Sequence, residues 1–388
     1  MKIALVCDWL VTIGGAEKFI KEVLTCFPNA DVFAVVDFIP EGQRDFLLNK
    51  PVTTTFIQKL PFAKKKYRSY LPLMPLAIEQ LDMSAYDLVI SSSHAVAKGV
   101  ITGPDQMHIS YVHSPMRYAW DLQHQYLKET GLDKKVSGWF ARYFLHRLRI
   151  WDYRSAAGVD HFIANSNFIA RRIQKTYRRD AEVIYPPIDI SKFTPRKDKE
   201  DFYITASRMV PYKKIDLIVE SFKDMPDKRL IVIGDGPDMA KIKSKAGSNV
   251  TLMGYQPDEV LIDHMQRANA FIFAAEEDFG LLPLEAQACG TPVIAFGKGG
   301  ALETVRGATA EKLTSEDSDP KLLSFFRSTP KTGVFFTEQT TKAIQDAIGT
   351  FERHRSLFTA DNCVNHAKHF APENFRQKLK LFITSKLD

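Results

Sequence analysis

The stretch from Phe271 to Gly290, FIFAAEEDFGLLPLEAQACG, changes character midway. Phe271 to Ala275 is an unbroken apolar run, with the length and composition of a strand buried on both faces of a parallel sheet. Glu276, Glu277 and Asp278 then put carboxylates where the strand should end. Gly280 permits a sharp turn, and Pro283 falls where the first turn of a helix tolerates a missing donor. The pattern predicts a helix through Leu284, Glu285, Ala286 and Ala288 that stops at Gly290. In an open α/β sheet, ligands bind beyond the carboxyl ends of the strands, where helix N-termini offer backbone donors to anions. Glu277 at the turn and Glu285 inside the helix are therefore candidate acceptors for the hydroxyls of a bound polyol. The helix dipole alone also favours acidic residues here, so the residues themselves leave both readings open.

The same alternation of short apolar runs and helical patterns extends in both directions. At 388 residues the chain is too long for one ordinary core and suits two α/β domains. A strand is expected over Lys2 to Cys7, followed by Asp8, Trp9, a turn at Gly14-Gly15 and a helix from Ala16 to about Leu24. Adjacent glycines at that turn let backbone N–H groups approach a phosphate or sugar. Their spacing is not G-x-G-x-x-G, so a nicotinamide cofactor is not indicated. Further strands are expected at Asp31 to Val36, Val52 to Phe56, Leu88 to Ser91 and His108 to Val112. The last ends in His113, which a following proline sets at the strand's end and turns toward a cleft. Strands at His161 to Ala164 and Val183 to Tyr185 close a first domain, 1–187, and Pro186-Pro187 makes a semi-rigid connector.

A second domain, 188–362, opens with Phe202 to Ala206 and the string SRMVPYKKID, in which Arg208 and Lys213 lie beyond the strand and suit a diphosphate. Strands follow at Arg229 to Ile233, Val250 to Met253, Pro292 to Phe296 and Gly333 to Phe336. The segment 363–388 reads as a terminal amphipathic helix.

Composition excludes several classes. Apolar residues make up 45% and charged residues 25%, as in soluble globular proteins, and no run is long enough for a transmembrane helix. The start does not read as a signal peptide, so a cytoplasmic location is expected. Cys7, Cys26, Cys289 and Cys363 are scattered without a CxxC pair, against both a disulfide framework and a zinc site. The 52 basic and 46 acidic residues leave a net charge of only +6, and no nucleic-acid motif accompanies it. The basic excess gathers at Lys64, Lys65, Lys66 and Arg68, and at Arg142, Arg147 and Arg149. The second group is interleaved with Trp139, Phe140, Tyr143, Phe144 and Trp151. Such a segment suits an anionic membrane surface, or a core helix with its arginines in water.

Glu277 and Glu285, separated by seven residues with Phe279-Gly280 and Pro283 between them, resemble the E-x7-E signature of retaining family-4 glycosyltransferases. That resemblance implies the GT-B fold, with two doubly wound Rossmann-like domains facing each other across a cleft. It implies that Glu277 holds the donor sugar and Glu285 the nucleotide ribose, with Asp278, Phe279, Gly280 and Leu281 lining the donor site. SRMVPYKKID is similar to the family's G-R-L-x-x-x-K-G motif, which puts Arg208 and Lys213 on the pyrophosphate. It departs at Ser207 and Lys214, where the family has glycine. Gly14 and Gly15 match its glycine-rich turn, Gly254-Tyr255 match the place where the family holds the base through backbone groups, and His113 matches a histidine that contacts the donor hexose. The terminal helix is expected to cross back to the first domain.

The fuller string His113 to Asp121, HSPMRYAWD, looks closest to bacterial O-antigen and exopolysaccharide transferases, several of which use GDP-mannose. The implied reaction is metal-independent hexosyl transfer with retention, onto a polyprenyl-diphosphate-linked saccharide, by a protein peripheral to the inner face of the membrane. No cofactor is implied, and no DxD-like motif follows a strand. UDP-sugars are the alternative donors, and an epimerase of the same fold is the closest rival activity. A glycoside hydrolase also uses paired carboxylates but has no use for a diphosphate clamp.

Overall fold

The computed structural model describes residues 1–129, 131–133, 137–309 and 330–387. The chain divides into two compact units: Met1–Pro187 together with the C-terminal segment from Phe375, and Ile188–Asn374.

In the first unit the strands are β1 (Ile3–Cys7), β2 (Asp31–Ala34), β3 (Val52–Thr54), β4 (Leu88–Ser93), β5 (Met107–Val112), β6 (His161–Ala164) and β7 (Ala181–Val183). They form one parallel sheet in the order β3-β2-β1-β4-β5-β6-β7. β1 is central and buried along its whole length, and its alternate residues feed two cores. Leu5 and Cys7 pack with Phe19, Ile20 and Val23 of the helix Gly15–Cys26 on one face. Ala4 and Val6 pack on the other face with Met74, Ile78, Leu145 and Leu148. Each such buried aliphatic side chain contributes about 1.5–3 kcal/mol of transfer free energy. The strand needs no polar face because helices cover both sides.

In the second unit the strands are β8 (Tyr203–Ala206), β9 (Leu230–Ile233), β10 (Val250–Gly254), β11 (Ala270–Phe273), β12 (Val293–Phe296), β13 (Gly307–Thr309) and β14 (Gly333–Phe336). Their order is β10-β9-β8-β11-β12-β14-β13, again all parallel. Both sheets are doubly wound, as expected for a Rossmann-like α/β fold. The strand order reverses between β1 and β4 in one sheet and between β8 and β11 in the other. Such reversals open a crevice at the carboxyl ends of the strands, where ligands bind.

The C-terminal segment departs from the expected single helix over 363–388. Helix Ala360–Ala367 ends in a 3-10 turn, Lys368–Phe370, and a second helix runs Pro372–Leu387. Pro372 cannot donate to a continuing helix, which explains the break. Phe375, Leu379 and Ile383 of the last helix enter the first unit's core, and Arg376 pairs with Glu22. Strand positions otherwise follow the expected runs, with ends moved by one or two residues; the strand expected at Val183 to Tyr185 is Ala181–Val183. β13 was not anticipated.

Candidate functional site

The second unit's reversal point brings the two halves of the expected donor site together. Arg208 and Lys213 follow β8, and Glu276 to Gly280 follow β11, its neighbour in the sheet. Lys213 donates to Glu277 Oε1 in an ion pair whose side chains are only 14% and 19% exposed. Arg208 is exposed and has no ion-pair partner among the described residues. Its loop is fixed by Gly234, at φ +132°, where a Cβ would stand 1.9 Å from the Ser207 carbonyl oxygen. Only glycine allows that approach.

The Glu277 loop is clamped from behind. The Gly300 N–H donates to the Glu277 carbonyl at 2.8 Å. A Cβ on Gly300 would lie 2.3 Å from Phe279 Cα, and one on Gly299 would lie 2.5 Å from the Glu277 carbonyl oxygen. Phe279 is buried against Phe370 at a ring separation of 5.8 Å, so its side chain anchors the loop. Gly280, at φ +91°, caps the helix Leu281–Ala288, in which Pro283 is the third residue. Glu285 lies half-buried farther along this helix, and Asp278 and Leu281 are half-buried at its start. Tyr255, just past β10, exposes 78% of its surface. β10 is the far edge of the sheet, two strands from β8.

In the first unit, His113 follows β5. Its Nε2 lies 2.8 Å from Ser92 Oγ, and its ring packs edge-on against Phe19 and Tyr111. Burial, aided by the neighbouring His94, pushes its pKa down to about 3, so the imidazole is neutral near neutral pH. Gly14 caps the helix Gly15–Cys26, but its N–H donates to Glu17 Oε2 at 2.7 Å. The expectation that this N–H is available to a phosphate or sugar therefore changes: Glu17 three residues on closes a capping bond over it.

Sequence reasoning passed over the pair at the first reversal point. Asp8, just past β1, is buried, and its carboxylate accepts backbone N–H groups from four consecutive residues beyond β4. Oδ2 takes His94 at 2.6 Å and Ala95 at 2.9 Å; Oδ1 takes Val96 at 2.6 Å and Ala97 at 2.7 Å. His94 Nδ1 lies a further 2.9 Å from Oδ2. Burial alone would raise the Asp8 pKa, but the histidine and the backbone donors outweigh it and bring it to about 2. Burial likewise opposes protonation of His94, and Asp8 overcomes it and raises the pKa. A lone aspartate beyond a buried strand was the available signal. Its partner, more than eighty residues away, emerges only with the strand order.

Among the described residues no three His, Cys, Asp or Glu side chains gather into a metal-ligating group, and no helix is long and apolar enough to cross a membrane.

Comparisons with known proteins agree with this architecture. A family model described as "Glycosyltransferase Family 4" matches residues 13–192, and one described as "Glycosyl transferases group 1" matches 188–324. A D-inositol 3-phosphate glycosyltransferase of Mycobacterium avium is 29% identical over 188 residues, covering 42% of this chain and 44% of that protein. A GDP-mannose-dependent monoacylated alpha-(1-6)-phosphatidylinositol monomannoside mannosyltransferase of Corynebacterium glutamicum is 29% identical over 197 residues, covering 43% of this chain and 51% of that protein. The chain thus spans about half the length of the curated relatives it matches.

Among solved structures, Anabaena HepE in complex with UDP superposes with a TM-score of 0.67 at 18% identity, over 99% of this chain and all of that one. The lipopolysaccharide outer core galactosyltransferase WaaB gives 0.60 at 18% identity, over the full length of both chains. The two family models meet at the segment joining the two units, and the chain belongs to the family-4 glycosyltransferases, with the GT-B fold.

Proposed function

We propose that this chain transfers a hexose, mannose from GDP-mannose, with retention of configuration and without a metal ion, onto a polyprenyl-diphosphate-linked saccharide in bacterial surface polysaccharide synthesis. The observation that carries the reading is the Lys213–Glu277 pair at the second unit's reversal point, with Arg208 exposed on the same loop as Lys213. A fixed cation and a carboxylate side by side match the two ends of a sugar diphosphate. Arg208 and Lys213 neutralise the leaving diphosphate, which a preorganised site does without a divalent ion. Glu277 orients the hexose, and Glu285 holds the ribose. The acceptor hydroxyl attacks C1 on the face that the diphosphate leaves, and its proton passes to the departing phosphate oxygen. His113 is neutral and held by Ser92 in the first unit. Mannose is favoured by the Corynebacterium relative's name; UDP-sugars are the alternative because HepE is solved with UDP.

The test is a thermal-shift comparison of GDP-mannose, GDP, UDP-glucose and UDP, followed by a transfer assay in EDTA. A donor at a hundred times its dissociation constant stabilises the fold by about 2.7 kcal/mol. GDP-mannose should raise the melting temperature and transfer should persist in EDTA. A response to uridine nucleotides alone replaces the donor, and strict dependence on added magnesium or manganese ends the metal-free clamp. Glu277→Ala should abolish transfer and leave the protein folded. Arg208→Ala should cost about 2.7–4 kcal/mol of transition-state stabilisation.

The exposed face of the helix Ser137–Ser155 supports action at a membrane. Trp139, Phe140, Tyr143, Ile150 and Tyr153 are each about half exposed or more, beside exposed Arg142, Arg147 and Arg154. Leu145, Leu148 and Asp152 form the buried face. Arg149 does not join the exposed charge, because it donates to the Ala119 carbonyl at 2.7 Å. Lys64, Lys65, Lys66 and Arg68 are exposed beside Phe62, on a segment that packs over the same face of the first sheet.

A further inference from the structure

Asp8 and His94 stand at the carboxyl ends of β1 and β4, on the two sides of the first unit's reversal point. The four backbone bonds to Asp8 cap the turn after β4 and would form with any side chain at position 94. The imidazole is therefore not needed for the cap. It nonetheless lies on Asp8 Oδ2 through Nδ1 at 2.9 Å and edge-on to Trp9 at a ring separation of 4.6 Å, so its plane is fixed from two sides. The side chain keeps 34% of its surface exposed, and its Nε2 has no hydrogen-bond partner among the described residues. With Nδ1–H donated to the carboxylate, Nε2 is left as an oriented hydrogen-bonding position, an acceptor in the neutral ring and a donor in the imidazolium that Asp8 favours. The His113 ring stands 6.4 Å away, centroid to centroid, beyond the neighbouring strand β5. A histidine with one nitrogen tied down and the other opening at a reversal point has the form of a ligand contact.

We propose that His94, held by Asp8, is a further substrate-contacting residue of this enzyme: its Nε2 hydrogen-bonds a hydroxyl of the saccharide acceptor. No bond is made or broken at His94; it orients the acceptor. The proposal rests on the transferase reading above, with the acceptor handled by the first unit.

The experiment uses the full chain, with GDP-mannose and UDP-glucose as donors and the chloroform–methanol extract of bacterial membranes as acceptor. His94→Gln and His94→Ala are compared with wild type for melting temperature, donor affinity and sugar transferred into the extract. The expected result is that both variants fold, keep donor affinity within about twofold and lose at least about tenfold in transfer when assayed well below their melting transitions, because one oriented hydrogen bond to substrate is lost. Transfer equal to wild type overturns the proposal. Donor affinity that falls as far as transfer assigns the contact to the donor and overturns it too, and transfer that is lost only at temperatures where the variant unfolds makes His94 structural and overturns it as well. Wild-type protein that transfers neither sugar overturns the transferase reading and this proposal together, whereas wild-type transfer with unaffected variants overturns this proposal alone.

Discussion

Lys214 shows how a single backbone angle can explain a departure from a motif. It follows Lys213 with φ at +56°, in the left-handed region, and ends the 3-10 turn Pro211–Lys213. The resembling family motif carries glycine there, where a side chain costs about 1 kcal/mol. The lysine therefore keeps the turn at some strain, and the charged positions Arg208 and Lys213 keep their places. Lys214→Gly should be more stable than Lys214→Ala by about 1 kcal/mol in urea denaturation, because both remove the lysine and only glycine relieves the angle. Equal midpoints would mean that the turn relaxes when the side chain shortens. Lys213 and Glu277 were legible one by one, as charges beyond strands. That they touch was not, because sequence spacing carries no information on which strand lies beside which. The same gap hid the Asp8–His94 pair, whose members are ordinary until β1 and β4 become neighbours.

At the scale of elements, apolar runs bounded by glycine and proline gave the strands because strands buried on both faces have no polar residues to confuse the pattern. The short β13 and the 3-10 turns escaped, being too brief to show a period. The helix Ser137–Ser155 was legible as a basic, aromatic segment but not in its bounds or orientation, since aromatic residues are spread along it. What orients it is a polar contact inside its buried face. Lys98, 1% exposed, pairs with Asp152, wholly buried. Trp120 Nε1 donates to Asp152 at 2.7 Å, Tyr177 donates at 3.0 Å, and Lys98 also reaches Ser155 at 3.0 Å. This network joins the turn after β4 to two helices and turns Trp139 and Tyr143 outward. Removing one member of a buried ion pair leaves an uncompensated charge and costs about 3–5 kcal/mol. Lys98→Met should lose that much in chemical denaturation, and adding Asp152→Asn should recover part of it. If the double variant is no more stable than the single one, the loss lies in packing, and the charge is not its source.

Over the whole molecule, each sheet carries one charged pair at its own reversal point, Asp8–His94 in the first and Lys213–Glu277 in the second. The first unit also carries an apolar and basic surface. An exposed Trp139, at 79%, and Phe140, at 73%, are unusual for a face meant only for water. On a helix, residues 139, 143, 146, 150 and 153 fall in one stripe, and Arg147 and Arg154 lie beside it. That arrangement suits a helix lying in the headgroup layer, with its rings inserted and its cations among the phosphates. Each surface lysine or arginine contributes about 1 kcal/mol against an anionic leaflet, and salt weakens it. Binding to vesicles that contain an anionic lipid should therefore be strong at low salt and decline as salt rises. Neutralising Lys64, Lys65 and Lys66 should lower the electrostatic part, while Trp139→Ala with Phe140→Ala should lower the part that salt leaves. Flotation that shows no binding at low salt, or equal binding to neutral and anionic vesicles, would rule out the basic face as a membrane contact. If the lysine variant alone loses binding, the rings on the helix Ser137–Ser155 stay in water, and the aromatic stripe is left without a role at the membrane.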